Sequence, residues 1–301
     1  MFMFRVVIGC FAVCVLAASS LQAQTQASCN FEVFSLNPSN PNNPATHPSG
    51  VNDNSTVVGY GDYPQATPGF KAFVRRSGGS TTYWLPQGAL WSGFSARNNN
   101  GSTVGGYVDS SRNAHAVLLQ GSTVTQIVHP NSAAHSTGVS GINKFNNTVG
   151  SYTDPKTGNQ IGFKRYSGGG FVDFKYPGAT QTLPAGINDN GAIVGTYIAT
   201  DNSNHGFVYR NGTFAKLDYP ASNSATNLEG ISDAGIIVGD AGASGSSGPV
   251  SFMYKNGVFK RIADPNLSPS ATIVRGISAG GIITGELVKS GNWYGFTAIC
   301  Q

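Results

Sequence analysis

Charge is scarce in this sequence. Acidic and basic residues make up 11% of its 301 positions, against about a quarter in an average soluble domain. The net charge of +4 is small and unclustered, so no basic stripe offers itself to nucleic acid. Helical periodicity is missing beyond the first residues, which excludes a helical fold. No later run is long and apolar enough to span a membrane. Cysteine is rare too. There are four, and Cys10 and Cys14 fall in a segment that export would remove. Chemistry-bearing motifs are equally thin. The five histidines show no H-x-x-x-H spacing, and no G-x-S-x-G stands on a strand-to-helix elbow. The glycine runs at 168–170 and 242–245 precede no helix, so they are not phosphate loops. Nothing calls for a cofactor or a metal.

What is abundant is glycine, 40 residues or about double the usual share. With Ser, Thr and Asn also plentiful, the composition suits an extracellular β protein rich in turns. Arg5 precedes an apolar run over residues 6–18, and Leu21-Gln22-Ala23 fits a cleavage site before Gln24. Residues 1–23 therefore read as a signal peptide. The chain is expected outside the cell or in the periplasm, as a monomer.

The organising stretch is Gly186-Ile187-Asn188-Asp189-Asn190-Gly191-Ala192-Ile193-Val194-Gly195. Asn, Asp and Gly tolerate positive φ, so this reads as strand, tight turn, strand. It recurs at Gly50, Ala96, Gly141, Gly186, Gly230 and Gly276, with separations of 46, 45, 45, 44 and 46. Each copy closes on a proline: Pro86, Pro130, Pro177, Pro220 and Pro265, with Pro38 ahead of the first anchor. The fourth copy divides into four strands. The first runs into 186–187, the second covers 192–197, the third 205–209 and the fourth 213–219. A small residue before an aromatic marks the third strand, as in Gly206-Phe207 and Ala72-Phe73, and lets a neighbour pack close.

A fixed period of about 45 residues with four strands matches a propeller blade. The expected fold is therefore all-β: residues 24–301 form a single six-bladed β-propeller of four-stranded antiparallel blades. The last copy stops after its third strand, and the mature chain opens with a lone fourth strand at 31–36. That N-terminal strand is expected to complete the last blade. Cys29 and Cys300 then both fall where a turn would join strands three and four, and an exported protein with two cysteines pairs them. The alternatives are two free thiols or a link between chains.

The unit Gly-Ile-Asn-Asp-Asn-Gly, followed by Ile-Val-Gly and by His-Gly-Phe, resembles the bacterial HAF repeat. The resemblance covers nearly all of the mature chain and is specific at residues 186–207. Val117 and Ile161 depart from the tripeptide. It implies an exported setting and a propeller, and brings no catalytic residues. Some members end in a sorting tail; this sequence ends at Gln301 without one, which suggests free release.

The loops at 62–70, 109–114, 154–160, 201–204 and 240–249 vary on a repeated frame, which is where a binding surface can be placed. The alternative is that they drift unselected. Tyr60-Gly61-Asp62, Tyr107-Val108-Asp109 and Tyr152-Thr153-Asp154 set carboxylates on this long-loop rim. They are candidates for holding Ca²⁺ or for acid–base work or, more simply, loop starters. The turn residues Asp53, Asp189 and Asp233 read as hairpin turns. His115 and His205 share a repeat position and read as structural; His129 and His135 do not repeat. Trp84 falls in a fourth strand. Trp91 and Trp293 fall in rim loops and are candidates for stacking on sugars or for capping the channel. Three functions are compatible with this: a module binding an extracellular polysaccharide or protein, a polysaccharide lyase or hydrolase using rim carboxylates, and a structural envelope or biofilm component.

Overall fold

The computed structural model describes residues 25–36, 45–62, 69–220, 222–243, 248–267 and 271–301. The signal-peptide segment and its cleavage site lie outside the described residues. The described chain is all-β, with 24 strands. The N-terminal strand is β1 (Cys29–Phe34). The first unit holds β2 (Thr46–Val51), β3 (Val57–Asp62), β4 (Phe70–Arg75) and β5 (Thr81–Trp84). The second holds β6 (Ala89–Arg97), β7 (Thr103–Asp109), β8 (Ala114–Gln120) and β9 (Thr123–Ile127). The third holds β10 (Gly138–Ile142), β11 (Thr148–Thr153), β12 (Gln160–Arg165) and β13 (Phe171–Phe174). The fourth holds β14 (Gln181–Ile187), β15 (Ile193–Ile198), β16 (Asn204–Arg210) and β17 (Thr213–Lys216). The fifth holds β18 (Ser222–Ile231), β19 (Ile237–Ala243), β20 (Pro249–Lys255) and β21 (Val258–Arg261). The last is β22 (Thr272–Ile277), β23 (Ile283–Lys289) and β24 (Asn292–Cys300), with β1 as its fourth strand.

Each unit is an antiparallel meander. The fourth and fifth are not fully separate, because one parallel bridge, Asn204 to Ala225, joins them into an eight-stranded sheet. Among the described residues no sheet closes on itself. The first strands touch in circular order: β2 beside β6, then β10, β14, β18 and β22, with β22 beside β2 again. The anchor residues explain how close these strands come. A Cβ on Gly186 would lie 3.0 Å from the Cα of Gly230, so a side chain there would push two units apart.

The expected clasp is present. β1 pairs antiparallel with β24, Cys29 lies opposite Cys300 in register, and the two are disulfide-bonded. The clasp also reaches further than expected. Ala27 N–H donates to the carbonyl of Arg261, and Arg261 N–H to that of Thr25. The N-terminal segment therefore ties the fifth unit as well as the last.

Repeated residues do repeated structural work. Phe73, Phe163, Phe207, Phe252 and Phe296 have no exposed surface. A Cβ on Gly162, the small residue before Phe163, would lie 2.9 Å from the ring of Phe174, so the position must stay small. In the hairpin between the first two strands, Asn143 serves two units. Its Oδ1 accepts from Phe145 and Asn147 N–H within its own turn (both 3.1 Å), and its Nδ2 donates to Asn188 O in the next (3.3 Å). Asn52, Asn98 and Asn188 act alike, donating to Asn98 O, Asn143 O and Ser232 O. The result is a circumferential ladder of buried amides. Ser232 and Ser278 stand at this position in the last two units and cap their own turns, accepting from Ile236 N–H and Ile282 N–H, and Ser278 is also hydrogen-bonded to Asp53 of the first unit. The turn aspartates extend the ladder: Asp189 N–H donates to Asp233 Oδ1, and Gly280 N–H to Asp53 Oδ1.

Two expectations need correction here. His129 fills the repeated aromatic place before a proline that Tyr176 and Tyr219 fill in other units. It is buried and stacks on Tyr152 at 3.9 Å, as Tyr176 stacks on Tyr197 at 3.7 Å. The fourth strand of the fourth unit ends at Lys216, not at 219. Asp218 turns inward there to meet His205 Nδ1 at 2.8 Å and Gly206 N–H at 3.1 Å.

Candidate functional site

The first strands enclose a channel with a cavity of about 340 Å³, lined by residues of every unit. Its two ends differ. The turn end carries the amide ladder. The other end is reached by the loops between second and third strands and by the connections between units.

A β-bulge shapes the channel wall. In each unit the register between first and second strands slips by one residue, directly before the anchor. The slipped residues are Ser49, Ser95, Ser140, Ala185, Glu229 and Arg275, and all six line the cavity. A bulge re-aims a side chain, and bulges cluster beside functional sites. Four copies use the position for a small residue; Ser140, for example, donates to Pro184 O of the next unit at 2.6 Å. Two copies place a charged group there instead.

The second strands repeat the contrast one residue past their conserved-spacing glycine. Tyr60, Gly106, Ser151, Thr196, Asp240 and Glu286 occupy that place. The carboxylates again belong to the fifth and last units, so they gather around the two bulge charges. Glu286 is buried and bridged on both sides, by Arg275 Nη2 to Oε2 at 3.3 Å and by His47 Nδ1 at Oε1, 3.0 Å. Glu229 is hydrogen-bonded to Asp240, which also accepts from Asn227 Nδ2 at 3.1 Å. Glu229 is enclosed by protein but keeps some surface open to the channel. Burial, reinforced by the charge of Asp240, pushes its carboxyl up to about 8. Burial opposes the charge on Arg275, but Glu286, Glu229 and Asp240 outweigh it and hold the guanidinium firmly charged. Asp240 lies within β19 and does not start a loop, contrary to expectation.

An aromatic strip adjoins this cluster. Trp293 approaches His47 at 5.7 Å between ring centres, His47 stacks on Tyr60 at 4.9 Å, and Tyr60 on Trp91 at 6.3 Å. Phe70 packs edge-on to His47 and Tyr60. Burial and the nearby Glu286 charge raise the Tyr60 phenol. Trp91 is 38% exposed at the end of the strip. Beside it a second cavity of about 260 Å³ runs between Tyr60, Trp91, Tyr107 and His115. The two tryptophans, 202 positions apart in sequence, thus share one surface. Both lie in strands and not in rim loops. β6 reaches back past Trp91 through an extra bulge at Leu90, and the tight Ser290-Gly291 turn, left-handed at both residues, lets β24 begin at Asn292. Trp84 lies in a fourth strand as expected and stacks on Phe94 at 5.4 Å.

The rim carboxylates are not brought together. Asp109 accepts from Ser111 and Asn113 N–H and meets His115 Nε2 at 2.9 Å. The His115 contact, with Asn113 behind it, holds its carboxyl down at about 2. Asp154 accepts from Lys156 N–H and Thr157 Oγ1. Each caps its own loop. The side chain of Asp62 lies outside the described residues. Among the described residues, no group of three or more His, Cys, Asp and Glu is arranged to hold a metal ion. No helix there is long and apolar enough to cross a membrane.

Scanned against protein-family models the chain matches none, and no curated protein is similar to it in sequence. Solved structures do resemble it. TolB from Acinetobacter baumannii aligns at a TM-score of 0.52 with 14% identity, over 83% of this chain and 64% of that one. A sialidase from Trypanosoma rangeli aligns at 0.53 with 10% identity, over 84% of this chain and 54% of that one. A fucose-recognising, six-bladed lectin from Aleuria aurantia aligns at 0.48 with 14% identity, over 81% of this chain and 87% of that one. This chain spans under two thirds of TolB and of the sialidase. At such identities the likeness is one of fold, a β-propeller-like arrangement, and carries no activity across. The disulfide fits an oxidising compartment.

Proposed function

We propose that the chain is an exported, six-bladed propeller of HAF-type repeats that binds an extracellular glycan at its long-loop rim, over the mouth of the channel. The observation that carries this reading is the strip Trp293–His47–Tyr60–Trp91 beside the Arg275–Glu286 pair. Aromatic faces stack on the apolar faces of sugar rings, while a fixed guanidinium and carboxylate satisfy hydroxyl groups. A cavity of about 340 Å³ is in the range of small-ligand sites. The circular order of the first strands supports six blades.

A glycan array tests the reading. The expected result is a defined set of glycans retained by the mature chain and lost on Trp91→Ala and Trp293→Ala, with Trp84→Phe unaffected. Retention of no glycan, or of the same glycans by all three variants, would contradict it.

A second reading, a polysaccharide lyase or hydrolase, draws support from one observation. Burial and the charge of Asp240 hold the carboxyl of Glu229, on the channel wall, up at about 8, which suits a general acid. The release of reducing ends from a retained polysaccharide, abolished by Glu229→Gln, would favour it over binding alone.

A further inference from the structure

The two ends of the molecule also differ in charge. The basic residues are spread along the sequence, but the fold gathers many of them at the turn end. Arg76, Lys164, Arg165, Arg210 and Lys255 flank the turns between third and fourth strands, and Lys144 stands in a turn between first and second strands. Arg76, Lys144, Arg210 and Lys255 are exposed, and Lys164 and Arg165 half-buried. Among the described residues only Lys144 of this set has an ion-pair partner, Asp189, and there the lysine is the more exposed of the two. The acids of this end are spent locally. Asp53 accepts from Gly280 N–H and Asn99 Nδ2, Asp233 accepts from Asp189 N–H, and Glu32 meets Arg75 at 3.6 Å. Asp109, Asp154, Asp201, Glu229 and Glu286 lie toward the loop end. The turn end is therefore the basic face of the molecule.

The third unit adds apolar surface to that face. Phe145 is 54% exposed and Tyr166 45% exposed in its two turns. Ser167 N–H donates to Asn147 Oδ1 at 3.1 Å, which joins those turns. The other copies place Asn54, Asn100, Asn190, Ala234 and Gly280 where Phe145 stands, so no demand of the repeat explains the ring. Each ring carries an ammonium. Lys144 Nζ lies 5.0 Å from the centre of Phe145, and Lys164 Nζ 4.8 Å from that of Tyr166. A ring beneath a lysine suits the boundary between lipid headgroups and acyl chains, where the ring meets hydrocarbon and the long cation reaches the phosphates.

Going beyond the glycan reading and not resting on it, we infer that the turn end docks on the surface of an anionic lipid bilayer, with Phe145 and Tyr166 entering the headgroup layer. The layout of the charge selects this occupant. The cations belong to the first, third, fourth and fifth units, and the units follow one another in a circle. A plane meets all of these turns at once, whereas a linear polyanion follows a stripe and meets only the cations along one path. The exposed rings gain burial where the plane is a bilayer. Docked this way, the loop end and its aromatic strip face away from the lipid.

Co-sedimentation of the full mature chain with lipid vesicles tests this. The probes are vesicles of phosphatidylcholine alone and of phosphatidylcholine mixed with phosphatidylglycerol, each at low and at high salt. The chain is expected on the anionic vesicles only, and should leave them as salt screens the charge. Lys164→Gln, Arg210→Gln and Lys255→Gln should each weaken binding about fivefold, the effect of one cation near an anionic surface. Lys289→Gln removes the same charge from the loop end and should leave binding unchanged. Phe145→Asn installs the residue that Asn54, Asn100 and Asn190 supply in other copies, so the turn keeps its fold. It should weaken binding about tenfold. Dextran sulfate, a linear polyanion, should bind more weakly than the anionic vesicles and ignore Phe145→Asn. Absence from the anionic vesicles, equal binding to both vesicles, an equal loss with Lys289→Gln, or tighter binding to dextran sulfate overturns the inference. The glycan array reads the opposite end, so each of these results leaves the glycan reading standing.

Discussion

The two ends of the channel draw on different positions of the same repeat and treat repetition in opposite ways. At the turn end the same amide recurs. Asn52, Asn98, Asn143 and Asn188 each cap their own hairpin and donate to the next. At the loop end the bulge position changes character, from Ser49, Ser95, Ser140 and Ala185 to Glu229 and Arg275. A residue that recurs answers a demand every unit makes, which is packing and backbone satisfaction. A residue that departs from its copies in mid-wall answers a demand only one place makes. The lesson is that repetition marks structure here, and departure from it marks candidate chemistry.

The contrast can be tested by breaking each side. The largest effect should come from the clasp. Replacing Cys29 and Cys300 by serine frees a loop of 271 residues and should lower stability by up to about 5 kcal/mol in the chain-entropy account. Chemical denaturation reads this, with glycan binding at low denaturant unchanged. Next is Asn143→Ala, which strands two N–H groups of its own turn and a carbonyl of its neighbour. A loss of about 2–3 kcal/mol is expected, again with binding intact.

The loop end should respond differently. Glu229 is raised from its ordinary 4.5 to about 8 in the folded chain. Its contribution is therefore fully present below about pH 4.5 and is lost as pH climbs through about 8. The melting temperature should fall across that window, and Glu229→Gln should flatten the fall while binding changes. The smallest effect is expected at the rim. Asp154→Asn keeps one acceptor for its loop and should stay within about 0.5 kcal/mol of the parent, with no change in binding. A loss of binding there would move the site back to the rim carboxylates.

Much of the fold was legible in the residues. Glycine at 186 and 230, phenylalanine at 207 and 252, and asparagine at 143 and 188 recur because every unit needs close approach, a filled core and a capped turn. The paired termini could be read from a missing fourth strand and a surplus one. The site was less legible. Tyr60-Gly61-Asp62 and its two copies drew attention because they recur, which is the signature of a loop cap. Glu229 and Arg275 stand one residue before an anchor, on a bulge that no period-two pattern reveals. Comparing that single column across the copies would have exposed them. His47, Trp91 and Trp293 meet only because the first unit lies between the last and the second, so their contact depends on the circular order of the units.

The three tryptophans give the most direct test of whether the loop end is the binding end. The indole N–H signals of Trp84, Trp91 and Trp293 can be followed by NMR while a retained glycan is titrated. The account predicts that Trp91 and Trp293 shift together, saturably, while Trp84 stays in place. A titration that moves Trp84 alone, or leaves all three untouched while the glycan binds, would contradict it.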